Sequence, residues 1–397
     1  MKTMLLQRPK PFEDESLESY LIRIANRNGY QDVDRFLSAL KHYLCDGDSE
    51  KFSSFPTDIR RINPYSSKHS SAARSHALHQ ISQLTFTEPV DLLKLTINRS
   101  PLKYSPSVTA LIRGCEAFPR SLLRTNIIPV CPVCLQENGY ASYLWHFEGY
   151  DVCHKHHCAL VTSCKCGKPY DYRKNGVTSI CTSCGTQLKL QEKETPHEQI
   201  AIANWLAGND LPPLPSVPKS YRWGLIHWWK HIEKTDNFNP SSFHRFWTDW
   251  PESFQQKIQK RIDYNYEYRT VSKKELNVRD IIGDLLFSSI QLPDRDFRHN
   301  IILRELFAYF EQVIWDKNGQ FANLRLNSYD LAFLLNTDTD QIASLVEQRL
   351  LVPNHPIKTS EPFNKTANLF YLGDAFCLWL SEFQTDEFNR SYYVSRW

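Results

Sequence analysis

Four pairs of side chains with metal-ligand spacing fall within residues 131–184: Cys131 and Cys134 as CxxC, Cys153 and His156 as CxxH, Cys164 and Cys166 as CxC, and Cys181 and Cys184 as CxxC. Each pair turns two donors toward one point, and two pairs close a tetrahedral site with no position left for substrate. Eight donors therefore imply two structural zinc ions. Neighbouring pairs close the shorter loops, so the expected sites are Cys131, Cys134, Cys153 and His156, then Cys164, Cys166, Cys181 and Cys184; an interleaved pairing is the alternative. His154 and His157 crowd His156 at other offsets from Cys153, and Cys158 is a further competitor. Cys45, Cys115, Cys158 and Cys377 are left over and read as small buried residues.

Clustered cysteines could instead be a disulfide framework. The opening Met1–Pro11 is polar and proline-bearing, without the apolar stretch of a cleavable leader, so a reducing, cytoplasmic compartment is expected, where thiols serve as ligands. No apolar run reaches membrane-spanning length. Glycine is scarce, and neither a phosphate loop nor a dinucleotide fingerprint is present. The net charge of +3 is too small to mark a nucleic-acid binder. Basic residues gather over 101–190 and the C-terminal half is mildly acidic, so the candidates for a backbone contact are Arg113, Arg120, Arg124, Lys165, Lys168, Arg173 and Lys174, with solvated surface charge as the alternative.

The elements that must position these groups read as mainly helical, in several domains. Over 1–125, Asp14-Glu15-Ser16 precedes Leu17, Tyr20, Leu21, Ile24 and Ala25 on one helical face, and Gly29 ends it; acidic residues in the first turn complement the helix dipole. Val33, Phe36, Leu37 and Leu40 mark a second helix, Ala77, Ile81 and Leu84 a third, and Pro89 opens a fourth through Leu92, Leu93 and Ile97. This is a helix-turn-helix type pattern, with a plain helical bundle as the alternative. Residues 101–125 read as a link to the tandem zinc region, 126–190, where Tyr140, Tyr143, Trp145, Phe147 and Val152 suggest a β-hairpin. In the C-terminal helical domain, 191–397, a helix around Ile200–Leu206 precedes Gly208–Pro215, which reads as a linker from which a new domain starts. Helices are expected at Trp223–Ile232, Phe243–Trp247, Val278–Leu286 and Ile302–Trp315, with Trp223, Trp228 and Trp229 as core anchors. A second helix-turn-helix is expected near 326–353: Leu326–Leu335, a turn at Asn336–Asp338, then Gln341–Leu350, with Ala332, Leu335, Ile342 and Leu345 filling the corner. Its second helix would expose Asp340, Gln341, Ser344, Glu347 and Gln348, a face that repels phosphates.

Several of these segments resemble the TniQ family, the targeting component of heteromeric bacterial transposons. The resemblance rests on Arg8-Pro9-Lys10-Pro11, Glu15–Arg23, Cys131-Pro132-Val133-Cys134-Leu135, and Trp145-His146 before Cys153-His154-Lys155-His156. The length and the tail Phe388–Trp397 are similar to TniQ of the CRISPR-associated transposons that work with Cascade. The resemblance implies a non-enzymatic adaptor and a head-to-tail homodimer. It further implies docking on Cascade–crRNA near the crRNA-processing subunit and the adjacent backbone subunit, linking target recognition to the AAA+ regulator TnsC. Target DNA would then be reached indirectly, because the guide reads the sequence.

Two other classes compete. A sequence-specific zinc and helix-turn-helix DNA-binding regulator would need a basic recognition helix, which Gln341–Leu350 is not. A nuclease of the HNH kind using His154 or His157 as base would need an open divalent site, and no spacing marks one.

Overall fold

The structure is a computed structural model that describes residues 5–67, 71–190, 194–268, 276–314, 319–357 and 363–384. Helix α1 (Leu17–Arg27) begins where the Ser16 side chain accepts from Ser19 N, and it ends at Asn28 before Gly29, whose φ of +80° lies in the left-handed region. Leu17, Tyr20, Leu21, Ile24 and Ala25 are all fully buried, as their helical spacing requires. Asp32 caps α2 (Val33–Gly47), which buries Phe36, Leu37, Leu40 and Leu44. A short α3 (Ser49–Phe52) and two 3-10 turns lead to α4 (Ser71–Thr85) and to α5 (Pro89–Lys94), with proline at its first position.

The chain then leaves the helical pattern. Residues expected to be a link form an antiparallel meander of β1 (Asn98–Ser105), β2 (Val108–Arg113) and β3 (Glu116–Pro119), with Leu111 opposite both Arg99 and Phe118. The sheet is an addition to the helical pattern expected over 1–125. Its core is Tyr104, Ala110 and Ala117. Consecutive Ala110 and Leu111 are both buried, so β2 is covered on both faces and shows no alternation of apolar and polar residues.

Two helices of residues 126–190 are short: α6 (Pro132–Asn138), capped by Cys131, and α7 (Tyr172–Asn175), capped by Asp171. The expected hairpin at Tyr140–Val152 is instead a 3-10 turn, Tyr143–His146, opened by Ser142, with Phe147 and Val152 in isolated bridges to Leu123 and Ala159.

Helices α8 (His197–Ala207), α9 (Lys219–Ile232) and α10 (Pro240–Thr248) belong to the same compact unit, Met1–Thr248. Helix α9 lies on β3: Phe118 stacks on Phe147 at 4.3 Å, and Trp223 stands within 5.5 Å of both rings. Trp223, Trp228 and Trp229 are buried core residues, as expected. The segment Gly208–Pro215 is not where the units divide. Trp205 Nε1 donates to Pro215 O at 2.8 Å, and Arg222 donates to Asn209 O at 2.9 Å and to Asp210 at 2.5 Å. Its proline-rich composition thus serves a pinned surface turn, and the second unit begins at Asp249.

That unit holds α11 (Glu252–Glu267), α12 (Val278–Ile281), α13 (Asp284–Ser289), α14 (Ile301–Val313), α15 (Ser328–Leu334), α16 (Thr339–Glu347) and α17 (Leu372–Gln384), with a ribbon of β4 (Arg325–Leu326) and β5 (Phe370–Tyr371). The single helix expected at Val278–Leu286 is broken by Gly283 at φ +62°. Helix α14 presents buried Ile302, Leu306 and Tyr309; the expected end at Trp315 lies outside the described residues. In the helix pair, Asn327 caps α15 and Asp338 caps α16, so the second helix starts earlier and stops earlier than expected. Of the residues expected in the corner, Ala332, Ile342 and Leu345 are buried, as are Leu331 and Leu334, while Leu335 is only half-buried. Among the described residues, no helix is long and apolar enough to cross a membrane.

Candidate metal centres

The first donor cluster is assembled by two knuckles held side by side. Val130 and Val161 exchange both backbone hydrogen bonds, at 2.9 and 2.8 Å. Cys131 caps α6, its sulfur accepting from Cys134 N at 3.5 Å. In the second knuckle Cys153 N donates to Cys158 O and His157 N to Cys153 O, both at 2.8 Å. The donor atoms of Cys131, Cys134, Cys153 and His156 all lie within 4.8 Å of one another. Cys134 Sγ is 3.5 Å from Cys153 Sγ and 3.2 Å from His156 Nδ1, which is 3.5 Å from the sulfurs of Cys131 and Cys153. A tetrahedral ion with bonds of about 2.0–2.3 Å has donor–donor edges of about 3.3–3.8 Å, so this set fits one.

His156 Nε2 donates to Glu137 Oε2 at 2.9 Å, which fixes the tautomer that aims Nδ1 at the thiols. The other two histidines are placed elsewhere. His157 is exposed at φ +52°, the left-handed position of the knuckle, and His154 Nδ1 pairs with Tyr150 OH at 2.6 Å. Hydrogen bonds from the Cys134 and Cys153 thiols pull Cys131 down to about 7, toward the thiolate.

The second cluster repeats the construction in smaller loops. Cys164 N donates to Lys168 O and Cys181 N to Thr186 O, both at 2.9 Å, while Gly167 and Gly185 return to Cys164 O and Cys181 O. Their φ values of +78° and +70° are the conformation that favours glycine. The donor atoms of Cys164, Cys166, Cys181 and Cys184 again lie within 4.8 Å, with sulfur pairs at 3.6 and 3.9 Å. The Thr186 hydroxyl, 2.9 Å from Cys184 Sγ, draws that thiol down to about 6. Cys164 and Cys181 are buried and Cys166 and Cys184 exposed. Among the cysteines left over, none is buried: Cys45 and Cys158 are intermediate, and Cys115 and Cys377 are exposed.

Helix α1 is fastened to this region by buried polar groups that periodicity alone does not reveal. Ser16 N donates to Ala141 O and Ala141 N to Ser19 Oγ, both at 2.9 Å. Ser16 Oγ meets Tyr172 OH at 2.8 Å, and that hydroxyl is hydrogen-bonded to His146 Nε2 at 2.7 Å. Burial holds the His146 imidazole neutral, its pKa pushed down to about 3. Glu15 is fully buried: it accepts from Ser19 Oγ and Arg23 Nε at 2.8 Å and from Phe12 N at 3.1 Å. Glu18, equally buried, accepts from Asn63 at 2.8 Å.

Three of the seven cations expected to be free for a nucleic-acid backbone are committed internally. Arg113 donates to Glu13 O at 2.7 Å and Glu15 O at 3.1 Å and lies 3.8 Å from the Tyr143 ring centroid. Arg173 pairs with Asp171 at 2.7 Å and Arg124 with Asp151 at 2.5 Å. Arg120, Lys165, Lys168 and Lys174 are exposed.

These arrangements frame the comparison with known proteins. The TniQ family model matches residues 6–160. No curated protein matches the chain. The matched stretch spans Arg8–Pro11, α1, the sheet, the 3-10 turn with Trp145-His146 and all four donors of the first cluster, and it stops before the second cluster. Over residues 6–160, less than half of its length, the chain is similar to the TniQ family.

Proposed function

We propose that this chain is a non-enzymatic targeting adaptor of RNA-guided transposition, built around two structural zinc ions. The observation that carries the reading is the TniQ match over 6–160, a family of transposition-associated targeting adaptors. The finer assignment rests on the resemblance to TniQ of Cascade-linked transposons: a head-to-tail homodimer that docks on Cascade–crRNA near the crRNA-processing subunit and the adjacent backbone subunit, and that helps recruit TnsC and the transposase. The tail Phe388–Trp397, part of that resemblance, lies outside the described residues.

Cys131, Cys134, Cys153 and His156 would hold one ion and Cys164, Cys166, Cys181 and Cys184 the other. When bound, each ion supplies folding free energy to loops too small to bury a core of their own. The protein's own residues orient the donors: Glu137 sets the His156 tautomer and Thr186 stabilises the Cys184 thiolate. Helix α16 supports the adaptor reading over a DNA-reading one. Its exposed Asp340 pairs with Lys365 at 2.9 Å, and Glu347 and Gln348 follow on the surface, giving a mixed face that protein recognises better than phosphate does.

The test is purification with Cascade and crRNA together with elemental analysis. The proposal expects a stable complex, two zinc ions per chain, and no sequence-specific footprint of the isolated chain on duplex DNA. A footprint with a steep salt dependence and no Cascade binding would favour the DNA-binding regulator, and one zinc or none would overturn the metal assignment.

A further inference from the structure

The first centre contains one thiol more than a tetrahedral ion uses. Cys158 Sγ lies 3.6 Å from Cys131 Sγ, as close as the donors stand to one another, yet it is outside the group of four whose atoms gather within 4.8 Å. The two cysteines are 27 positions apart but are brought together by the paired knuckles, Cys131 at the mouth of α6 and Cys158 closing the turn that begins at Cys153. Cys131 is buried and Cys158 is partly open to solvent. His156, held by Glu137, already fills the fourth position, which leaves Cys158 as a neighbour of a ligand rather than a ligand.

We propose that Cys131 and Cys158 form an oxidation-sensitive pair: a hydroperoxide converts them to a disulfide and so removes one ligand from the first metal centre. The inference rests on the zinc reading above. The more accessible Cys158, as thiolate, attacks hydrogen peroxide; a sulfur–oxygen bond forms, the oxygen–oxygen bond breaks, and the hydroxide released takes up a proton as water. Cys131 sulfur then attacks the Cys158 sulfenic acid, forming the sulfur–sulfur bond and expelling the oxygen as a second water. Two thiols lose two electrons and two protons, and one peroxide becomes two waters. The sulfur atoms need close by little more than 1.5 Å to reach bonding distance of about 2.05 Å. Cys131, no longer an anionic donor, leaves Cys134, Cys153 and His156, one short of the closed four-ligand set of a structural ion, so the ion is held more weakly and is open to capture by a chelator. A thiol reductant reverses the bond and reopens the site.

The experiment treats the zinc-loaded full chain with hydrogen peroxide, follows zinc release with a chromogenic chelator and maps disulfides by mass spectrometry. The expected result is a peptide cross-link between Cys131 and Cys158 that forms as zinc leaves, with thiol treatment and added zinc restoring the starting stoichiometry. Cys158→Ser should bind zinc as the parent does and, at the same peroxide dose, release only the ion of the second centre, whose Cys166 and Cys184 are exposed, half of the parent's yield. Cys115→Ser, altering an exposed cysteine outside both clusters, should behave as the parent. Equal release from Cys158→Ser and parent, or a map showing Cys131 joined to Cys134 or Cys153, would overturn the proposal. A chain that carries no zinc at the outset would instead overturn the metal assignment, while the disulfide map would still decide the thiol pair.

Discussion

Replacing Ser16 by alanine tests how α1 is joined to the region of the two donor clusters. The side chain does two things at once: it caps α1 by accepting from Ser19 N at 3.1 Å, and it meets the Tyr172 hydroxyl at 2.8 Å within the buried chain that ends on His146. Losing the cap costs roughly 0.5–2 kcal/mol. Losing a buried hydrogen bond costs roughly 0.5–1.5 kcal/mol more. Tyr172 keeps His146, so no hydroxyl is stranded, and the sum is about 2 kcal/mol, equivalent to a roughly 30-fold rise in local opening. The assay is amide hydrogen exchange on α1 peptides in the metal-loaded chain, because a protein of two compact units need not unfold in one step. Ser16→Thr, which keeps the hydroxyl, should lose much less. The decisive measurement is a double-mutant cycle with Tyr172→Phe, in which the coupling should be about 0.5–1.5 kcal/mol. Additivity within about 0.3 kcal/mol would refute the claim that this bond joins α1 to α7, leaving Ser16 as a local cap alone.

Two further predictions rest on the same interface. His146 stays neutral when folded down to about 3, whereas an unfolded histidine takes up its proton near 6.5. The unfolded state therefore binds more protons between these values, and stability is fully present above about 6.5 and declines as pH falls toward 3; His146→Gln should flatten this part of a stability–pH profile, and an unchanged slope would count against the assignment. Arg113→Ala, which removes the bonds to the Glu13 and Glu15 carbonyls and a stack on Tyr143, should destabilise the first unit by about 2–3 kcal/mol, whereas Lys168→Ala and Lys174→Ala should stay within about 0.5 kcal/mol, as read from denaturant midpoints.

What the sequence determined by itself was local. Spacing of one or two residues places two side chains within one tight turn whatever the rest of the chain does, so the two groups of four that gather in the structure, and could each hold a metal ion, were legible from pair spacing and loop length. The apolar face of α1 was legible for the same reason, because helical periodicity acts within a few residues. The order of the later helices was legible too, although Gly283 split one of them and the caps Asn327 and Asp338 set the true bounds of the helix pair.

Only the tertiary structure decided which polar residues are interior and where the compact units divide. Arg113 serves carbonyls about 100 positions away, and Ser16 finds Tyr172 across 156, distances over which no sequence pattern is imposed. The meander was hidden because β2 is covered on both faces and β1 carries Pro101, so alternation, the usual mark of a strand, is missing. Gly208–Pro215 has the composition of a linker, yet Arg222 and Trp205 tie it down, because backbone groups in a turn take whatever buried donors the fold brings to them.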